Sequence, residues 1–320
     1  MKKAVTIVVA SAVASCSFLA RFDGSRAHWI VVSNQKDGTL SVLASDSGAL
    51  PATVPVGDAP GALAARVTPP LVAVANSAAK RVTFVDPLQL AVVRTVALRD
   101  IPEFLAFSPD GTLLFATLPK SKSIAVIDAD SGRLRDPLRV KQEPKRLAVS
   151  PDGHDLYVSQ HARTGGVAVL DVRTGRLDGT LPSGAFPVDL ALSRDGLHLL
   201  TANFDDDTIT VIDTIGARKI ATWRVDTGLG LLVHPTKPLA YSLASFDNDV
   251  VVLDYDTGEV ITTLPSGEFP TRGAITPDGR SLYVVNQRSN DVVKFDTATN
   301  QVVRRFDVGS EPTDVVIIER

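Results

Sequence analysis

Pro144-Lys145-Arg146-Leu147-Ala148-Val149-Ser150-Pro151-Asp152-Gly153-His154-Asp155-Leu156-Tyr157-Val158-Ser159 reads as two short strands about a tight turn. The apolar runs Leu147–Val149 and Leu156–Ser159 flank Ser-Pro-Asp-Gly. In that tetrapeptide Pro presets φ for the first corner, Asp tolerates the second, and Gly accepts φ > 0 where the chain re-enters a strand. Gln160 then opens a polar loop, Val167–Asp171 forms a third run, and a fourth segment follows Thr174-Gly175 through Leu181. Pro187 restarts the pattern. The runs are short, rich in Val, Ile, Leu and Tyr, and bounded by Gly, Pro, Asp or Asn. That is strand chemistry, and no segment sustains a helical period.

The unit recurs along the chain. Pro60, Pro102, Pro144, Pro187, Gly228, Pro270 and Pro312 mark equivalent points, separated by 42, 42, 43, 41, 42 and 42 residues. Ser-Pro-Asp-Gly stands at 108–111 and 150–153, changes once at 193–196 (Ser193-Arg194-Asp195-Gly196) and 276–279, and decays to His234-Pro235-Thr236-Lys237. A second corner follows the third strand at Asp86, Asp128, Asp171, Asp213, Asp254 and Asp296. These carboxylates fit Asx-turns rather than a catalytic set.

Four strands per repeat at this period is the arithmetic of a β-propeller blade. The stretch from His28 to Ala59 supplies three strands: Trp29–Ser33, Thr39–Leu43 and the segment before Gly57. The chain ends with the missing one, Pro312-Thr313-Asp314-Val315-Val316-Ile317-Ile318. The fold expected is therefore an all-β, seven-bladed propeller of four-stranded antiparallel blades. Its ring closes when the C-terminal strand completes the N-terminal blade, hiding the edges that an open sheet would expose. The organisation read is residues 1–15 as a signal peptide, 16–27 as a tether and 28–320 as one propeller domain. An apolar fraction of 44% with only 6% aromatic suits Val- and Ala-rich sheets, and a net charge of −3 gives nothing for nucleic acid to bind.

Lys2-Lys3 and the apolar run from Ala4 to Ala14 read as a secretory signal, because at 1.5 Å per residue the run reaches only about 17 Å of a ~30 Å bilayer core. Cys16, the only cysteine, follows Val13-Ala14-Ser15 in the manner of a lipoprotein cleavage box. Cleavage after Ala14 or near Ser17 is the alternative. The expectation is an exported protein, periplasmic or held at a membrane or cell surface by acylated Cys16, and monomeric. A single cysteine allows no intramolecular disulfide and no Cys-ligated metal site.

The pattern Pro-x-x-Leu-Ala-x-Ser-Pro-Asp-Gly-x-x-Leu-Tyr-Val, then Val/Ile-x-Val-Ile-Asp-x-x-Thr-Gly, resembles the YVTN-type β-propeller repeat proteins. It is carried best by Leu282-Tyr283-Val284-Val285-Asn286, Ile209–Asp213 and Asp254–Gly258. The pattern departs at Thr68-Pro69-Pro70 in the second repeat and at Gly228 in the sixth, where altered strand ends are expected. The resemblance implies a secreted propeller with a binding or scaffolding role for a protein or small ligand. Related propellers handle haem or quinone cofactors or hydrolyse sugar lactones, so a periplasmic redox or cofactor-handling propeller and a lactonase-like hydrolase are the alternatives. No catalytic residue of those families can be placed on this chain.

Candidate ligand-binding residues fall on the rim formed by the loops between second and third strands and between blades. Lys120, Lys122, Lys141, Lys145, Arg146, His161 and Arg163 lie on blades three and four. Asp205, Asp206 and Asp207 follow on blade five, and Asp247, Asn248 and Asp249 on blade six. Segregated charge of this kind steers charged partners, although solvated loop charge is the plainer account. Phe186, Phe204, Phe246 and Phe269 fall on the acidic side. Packing against neighbouring blades is expected for such large apolar side chains; exposed, they would suit a cationic partner. No cofactor is required. Calcium at Asp205, Asp207, Asp247 and Asp249 fits the oxygen donors, and His161 is the histidine best placed for non-covalent haem. Neither a Gly-x-Ser-x-Gly elbow nor a Cys-x-x-Cys-His occurs. Arg146, Asp189, Arg272 and Asp314 are expected to point into the central mouth, pairing with one another.

Overall fold

A computed structural model describes residues 28–45 and 52–319. The leader, tether and lipidation readings (residues 1–27, Cys16 included) lie outside the described residues. The described strands form seven four-stranded antiparallel sheets arranged as blades. Inner strands are Pro312–Ile318, Pro60–Arg66, Leu105–Phe107, Pro144–Val149, Pro187–Leu192, Gly230–Val233 and Pro270–Ile275, for blades 1 to 7 in turn.

Closure occurs as the repeat arithmetic requires. The C-terminal strand lies beside Trp29–Asn34, with Trp29 opposite Ile318 and Val32 opposite Val315. Apolar side chains face neighbouring blades rather than one common interior. Among the described residues the core divides into seven clusters, one between each pair of neighbouring blades. The cluster that seals the ring packs Ile30, Val32, Leu43 and Val315 of blade 1 against Tyr283, Val285, Val292 and Phe306 of blade 7.

The turns follow their sequence signatures. In Ser150-Pro151-Asp152-Gly153 the Ser Oγ donates to Asp152 Oδ1 at 2.5 Å and accepts the Asp155 N–H at 2.9 Å. Asp110, Asp152, Asp195 and Asp278 are held below the usual carboxylate range by the neighbouring hydroxyl first, then by backbone N–H donors. In the decayed turn His234 takes over this work. Its Nδ1 accepts the N–H groups of Thr236 and Lys237, and its Nε2 donates to Gly279 O at 3.0 Å. The Asp residues after the third strands close Asx-turns, as Asp296 does by accepting from Ala298 and Thr299.

Of the two expectations about strand ends, one needs correction. Blade 2 keeps a seven-residue inner strand despite Thr68-Pro69-Pro70, because the change falls in the following turn. Blade 6 is shortened as anticipated: its inner strand starts only at Gly230. The most altered blade is blade 3, whose inner strand has three residues and outer strand two. Asp136-Pro137 interrupts that outer strand, since proline brings no N–H to the ladder.

Removing residues 312–320 strips the fully buried Ile318 and nearly buried Val315 and exposes the edge at Trp29–Asn34. At ~1.5–3 kcal/mol per buried side chain, plus the lost ladder, the loss takes much of a stability of about 5–15 kcal/mol. Calorimetry of the shortened chain should show the main unfolding transition lost or moved down by more than about 10 °C; an unchanged transition contradicts closure. A second expectation concerns pH. Burial pulls the His234 pKa below its ordinary 6.5, with the Gly279 bond opposing, so the native turn holds the neutral ring. The unfolded chain takes the proton first as pH falls, so this stability is complete above 6.5 and drains away below it. His234→Asn, which keeps an acceptor for Thr236 and Lys237, should flatten the fall in thermal midpoint between about pH 7 and 5, where histidines dominate the titration.

Candidate functional site

The rim bearing the inter-blade loops is built by two backbone devices. Before Pro60, Pro187, Pro270 and Pro312 the residue adopts a left-handed conformation, with φ of 50° at Ala59, 48° at Phe186, 59° at Phe269 and 52° at Glu311. That region is doubly disfavoured for a bulky pre-proline residue. A repeating bond offsets the cost: the Phe186 carbonyl accepts from Phe204 N–H at 3.3 Å, and the Phe269 carbonyl from Gln287 N–H at 3.0 Å. Buried asparagines at the ends of second strands pin the same loops. Asn203 donates to Thr208 and Thr210 and accepts from Gly184 N–H, tying two loops of blade 5 together.

On this frame Phe204 and Phe246 stand out of the protein, which corrects the packing expectation for these two, whereas Phe186 and Phe269 are half-buried against neighbouring loops. Phe246 is 64% exposed and Phe204 37%. Their ring centroids are 6.2 Å apart, and Phe246 meets Phe269 edge to face at 5.5 Å. Arg288 lays its guanidinium 4.3 Å over the Phe269 ring. Phe186 packs its ring against His161 at 5.1 Å. The interblade space behind these loops is already filled by small Val, Leu and Ala side chains, for example Leu231, Ala240 and Ala244 packing on Ala202 and Ile209. Phe204 and Phe246 are left on the surface.

Acidic residues border this arc. Asp205, Asp206, Asp207 and Asp247 are exposed and Asp249 is half-buried, its pKa raised by burial and then by Asp247. Part of the set is structural: Asp206 Oδ2 accepts Ala185 N–H at 2.7 Å, and Asp207 occupies a left-handed turn position with φ of 49°. Among the described residues no three His, Cys, Asp or Glu side chains gather as a metal site. On the opposite arc Lys120, Lys122, Lys141 and Arg163 are exposed. Lys145 is neutralised by Glu103 at 2.9 Å and lies 4.0 Å from Glu143, so the basic arc is weaker than its residue count suggests. His161 is partly buried, and its Nδ1 is enclosed without a hydrogen-bond partner.

The centre of the ring holds a second cluster. Bulges at the starts of the inner strands of blades 1, 4, 5 and 7 turn Asp314, Arg146, Asp189 and Arg272 toward the axis. Arg146 Nε lies 2.7 Å from Asp189 Oδ1, and Arg272 Nη1 lies 3.7 Å from Asp189 Oδ2. Both guanidiniums sit 4.8 Å from the centroid of the Phe104 ring. Asp189 also accepts from Leu231 N–H of blade 6 at 2.9 Å, and Asp314 from Leu63 N–H of blade 2 at 2.9 Å, so each carboxylate ties its blade to the next. Arg272 donates to the carbonyls of Leu229 and Thr271. Burial, then the nearby Arg146, brings the Arg272 pKa down to about 10, and burial raises that of Asp314. Both arginines pair with Asp189, whereas Asp314 is held by the N–H groups of Leu63 and Val315. Phe104 was missed by charge-based reading, yet the signal existed: two positions after each blade opening stand Ala62, Phe104, Arg146, Asp189, Gly230, Arg272 and Asp314, one ring of side chains.

The chain belongs to the YNCE-like β-propeller family, whose profile matches residues 2–320. No curated protein sequence matches it. Among solved structures, it is similar to hydrazine synthase of Kuenenia stuttgartiensis, at 19% identity and a TM-score of 0.77 over 84% of this chain and 92% of that one. A functionally unknown protein from Desulfotomaculum acetoxidans aligns at 13% identity and TM-score 0.79, over 91% and 98% of the two chains. The dihydro-heme d1 dehydrogenase NirN, solved in complex with DHE, aligns at 19% identity and TM-score 0.71, over 92% and 76%. At such identities the likeness is one of fold.

Asp189 is fully buried between two guanidiniums, and truncating one member of a buried ion cluster leaves charge without compensation. Asp189→Ala should cost roughly 3–5 kcal/mol, read as a lowered urea midpoint. A loss below about 1 kcal/mol would show that the cluster contributes little to the closed ring.

Proposed function

We propose that this propeller is an exported binding module that captures a basic, partly apolar segment of another protein on its inter-blade rim. The observation that carries the reading is the array of exposed Phe204 and Phe246 with half-buried Phe269 beside Asp205, Asp206 and Asp247. Aromatic faces attract cations through their quadrupole, and nearby carboxylates add long-range steering. Arg288 on Phe269 shows that such a face accepts a guanidinium in this very setting. Export is supported by Lys2-Lys3 and the apolar run after it, and acylation of Cys16 would hold a monomeric module at a membrane surface.

A second reading, a haem-handling propeller, draws on the fold shared with hydrazine synthase and NirN and on the unpartnered Nδ1 of His161. One set of titrations separates the two. A synthetic peptide alternating arginine and leucine should bind the wild type with strong salt dependence, whereas a glutamate–leucine counterpart should not. Phe246→Ser should weaken that binding by tenfold or more, as loss of a central hot spot worth about 2 kcal/mol does. Its thermal stability should stay unchanged, because the ring is exposed. Equal binding by Phe246→Ser removes the rim reading. A haemin absorbance change abolished by His161→Ala would install the second one.

A further inference from the structure

We infer that the axial cavity on the opposite rim, where the Ser-Pro-Asp-Gly turns lie, is a binding site for a small polar molecule bearing two carboxylates. This site is separate from the aromatic rim and does not depend on the reading given for it. The cavity has a volume of about 610 Å³, room for roughly 20 waters, with Arg146 and Asp314 lining one end and Ser193, Arg194 and Pro277 the other. From Arg146 to the turn at Pro151 the strand climbs about 17 Å at ~3.3 Å per residue.

Three features select the ligand. The first is the balance of charge, since Arg146 and Arg272 are matched by Asp189 and Asp314 and Arg194 adds one further guanidinium at the wall. Asp314 is already engaged on both oxygens, by Leu63 N–H at 2.9 Å and Val315 N–H at 2.8 Å, so the wall keeps a surplus of donors. The second is Arg146 itself. Its Nε lies 2.7 Å from Asp189 while the side chain stays 23% exposed and lines the cavity, so part of the fork faces the lumen. A guanidinium fork left open in this way fits a carboxylate in the plane of its remaining N–H groups.

The third is Arg194. Equivalent turns in blades 3, 4, 6 and 7 carry Pro109, Pro151, Pro235 and Pro277 at this position. Blade 5 instead has an arginine, whose Nη1 reaches Pro277 O of blade 7 at 3.4 Å, past the intervening blade 6. The side chain spans the mouth on a single long hydrogen bond, a contact weak enough to exchange for an incoming anion. Cations at both ends of a lumen call for an anion at both ends of the ligand. The walls favour a polar body between them, because inner strands turn unpaired N–H and C=O groups toward the axis.

The test uses the purified protein with malonate, succinate and adipate as probes, succinamide as the neutral control, and sodium chloride at matched ionic strength. At least one dicarboxylate should raise the thermal midpoint saturably and give a binding isotherm, with succinamide and chloride silent. Arg194→Gln, at an exposed position, should keep the unliganded midpoint and lose about tenfold in affinity, equal to 1.4 kcal/mol. Phe246→Ser, on the far rim, should bind as the wild type does. Three results overturn the assignment: no saturable response to any dicarboxylate, undiminished affinity in Arg194→Gln, or a response to inorganic phosphate without one to the carboxylates. Because Arg194→Gln leaves the central ion cluster intact, a negative result cannot be ascribed to misfolding.

Discussion

Everything in this molecule depends on the ladder between the last strand and the first. Seven separate sheets would each offer two raw edges, and the radial arrangement leaves only inner and outer edges that are short or covered. One seam has no covalent continuity around the ring, and it is held by Trp29–Val32 against Val315–Ile318 and by the cluster joining Tyr283 and Phe306 to Ile30 and Val32. The apolar clusters are local, each shared by two neighbours, so stability accumulates interface by interface. An open ring would lose one interface outright and leave the rest free to splay.

Closure also explains what stands at the axis. Seven inner strands bring seven equivalent side chains to one level, a place too crowded for seven large residues. The chain fills it unevenly. Small Ala62 and Gly230 make room, Phe104 supplies a face, and two arginines and two aspartates supply balanced charge. Both carboxylates accept N–H groups of the next blade, and Asp189 meets two guanidiniums as well, so the cluster acts as a set of crosslinks between sheets. Buried ions of this kind contribute through complete pairing rather than net attraction.

At the loop rim the logic differs. A left-handed residue precedes the opening proline at Ala59, Phe186, Phe269 and Glu311, and the fold over-determines it through the carbonyl that receives a loop N–H. Where that position carries phenylalanine the ring is half-buried against a neighbouring loop, Phe186 on His161 and Phe269 on Phe246. Phe246 and Phe204 are then the exposed aromatics of this rim. Backbone strain of about 1–3 kcal/mol per such residue persists only where surroundings enforce it, and such positions cluster at functional surfaces.

The repeat period, the turn tetrapeptides and the orphan final strand were enough to give blade number, strand order and closure, because those properties are local and periodic. Pairing of Arg146 with Asp189 was also within reach, because both occupy the same step of the repeat. Phe104 was overlooked beside them because its ring is neither charged nor part of the recurrent motif. The shortened strands of blade 3 were missed because Pro137 lies in the most variable segment of the unit. Whether the rim phenylalanines faced inward or outward, and that Arg194 crosses an axial mouth to Pro277, lay beyond the sequence. Those are relations between residues far apart in the chain, decided by how tightly neighbouring sheets fill the space between them. Sequence sets what each blade can be; packing around the ring settles what is left exposed.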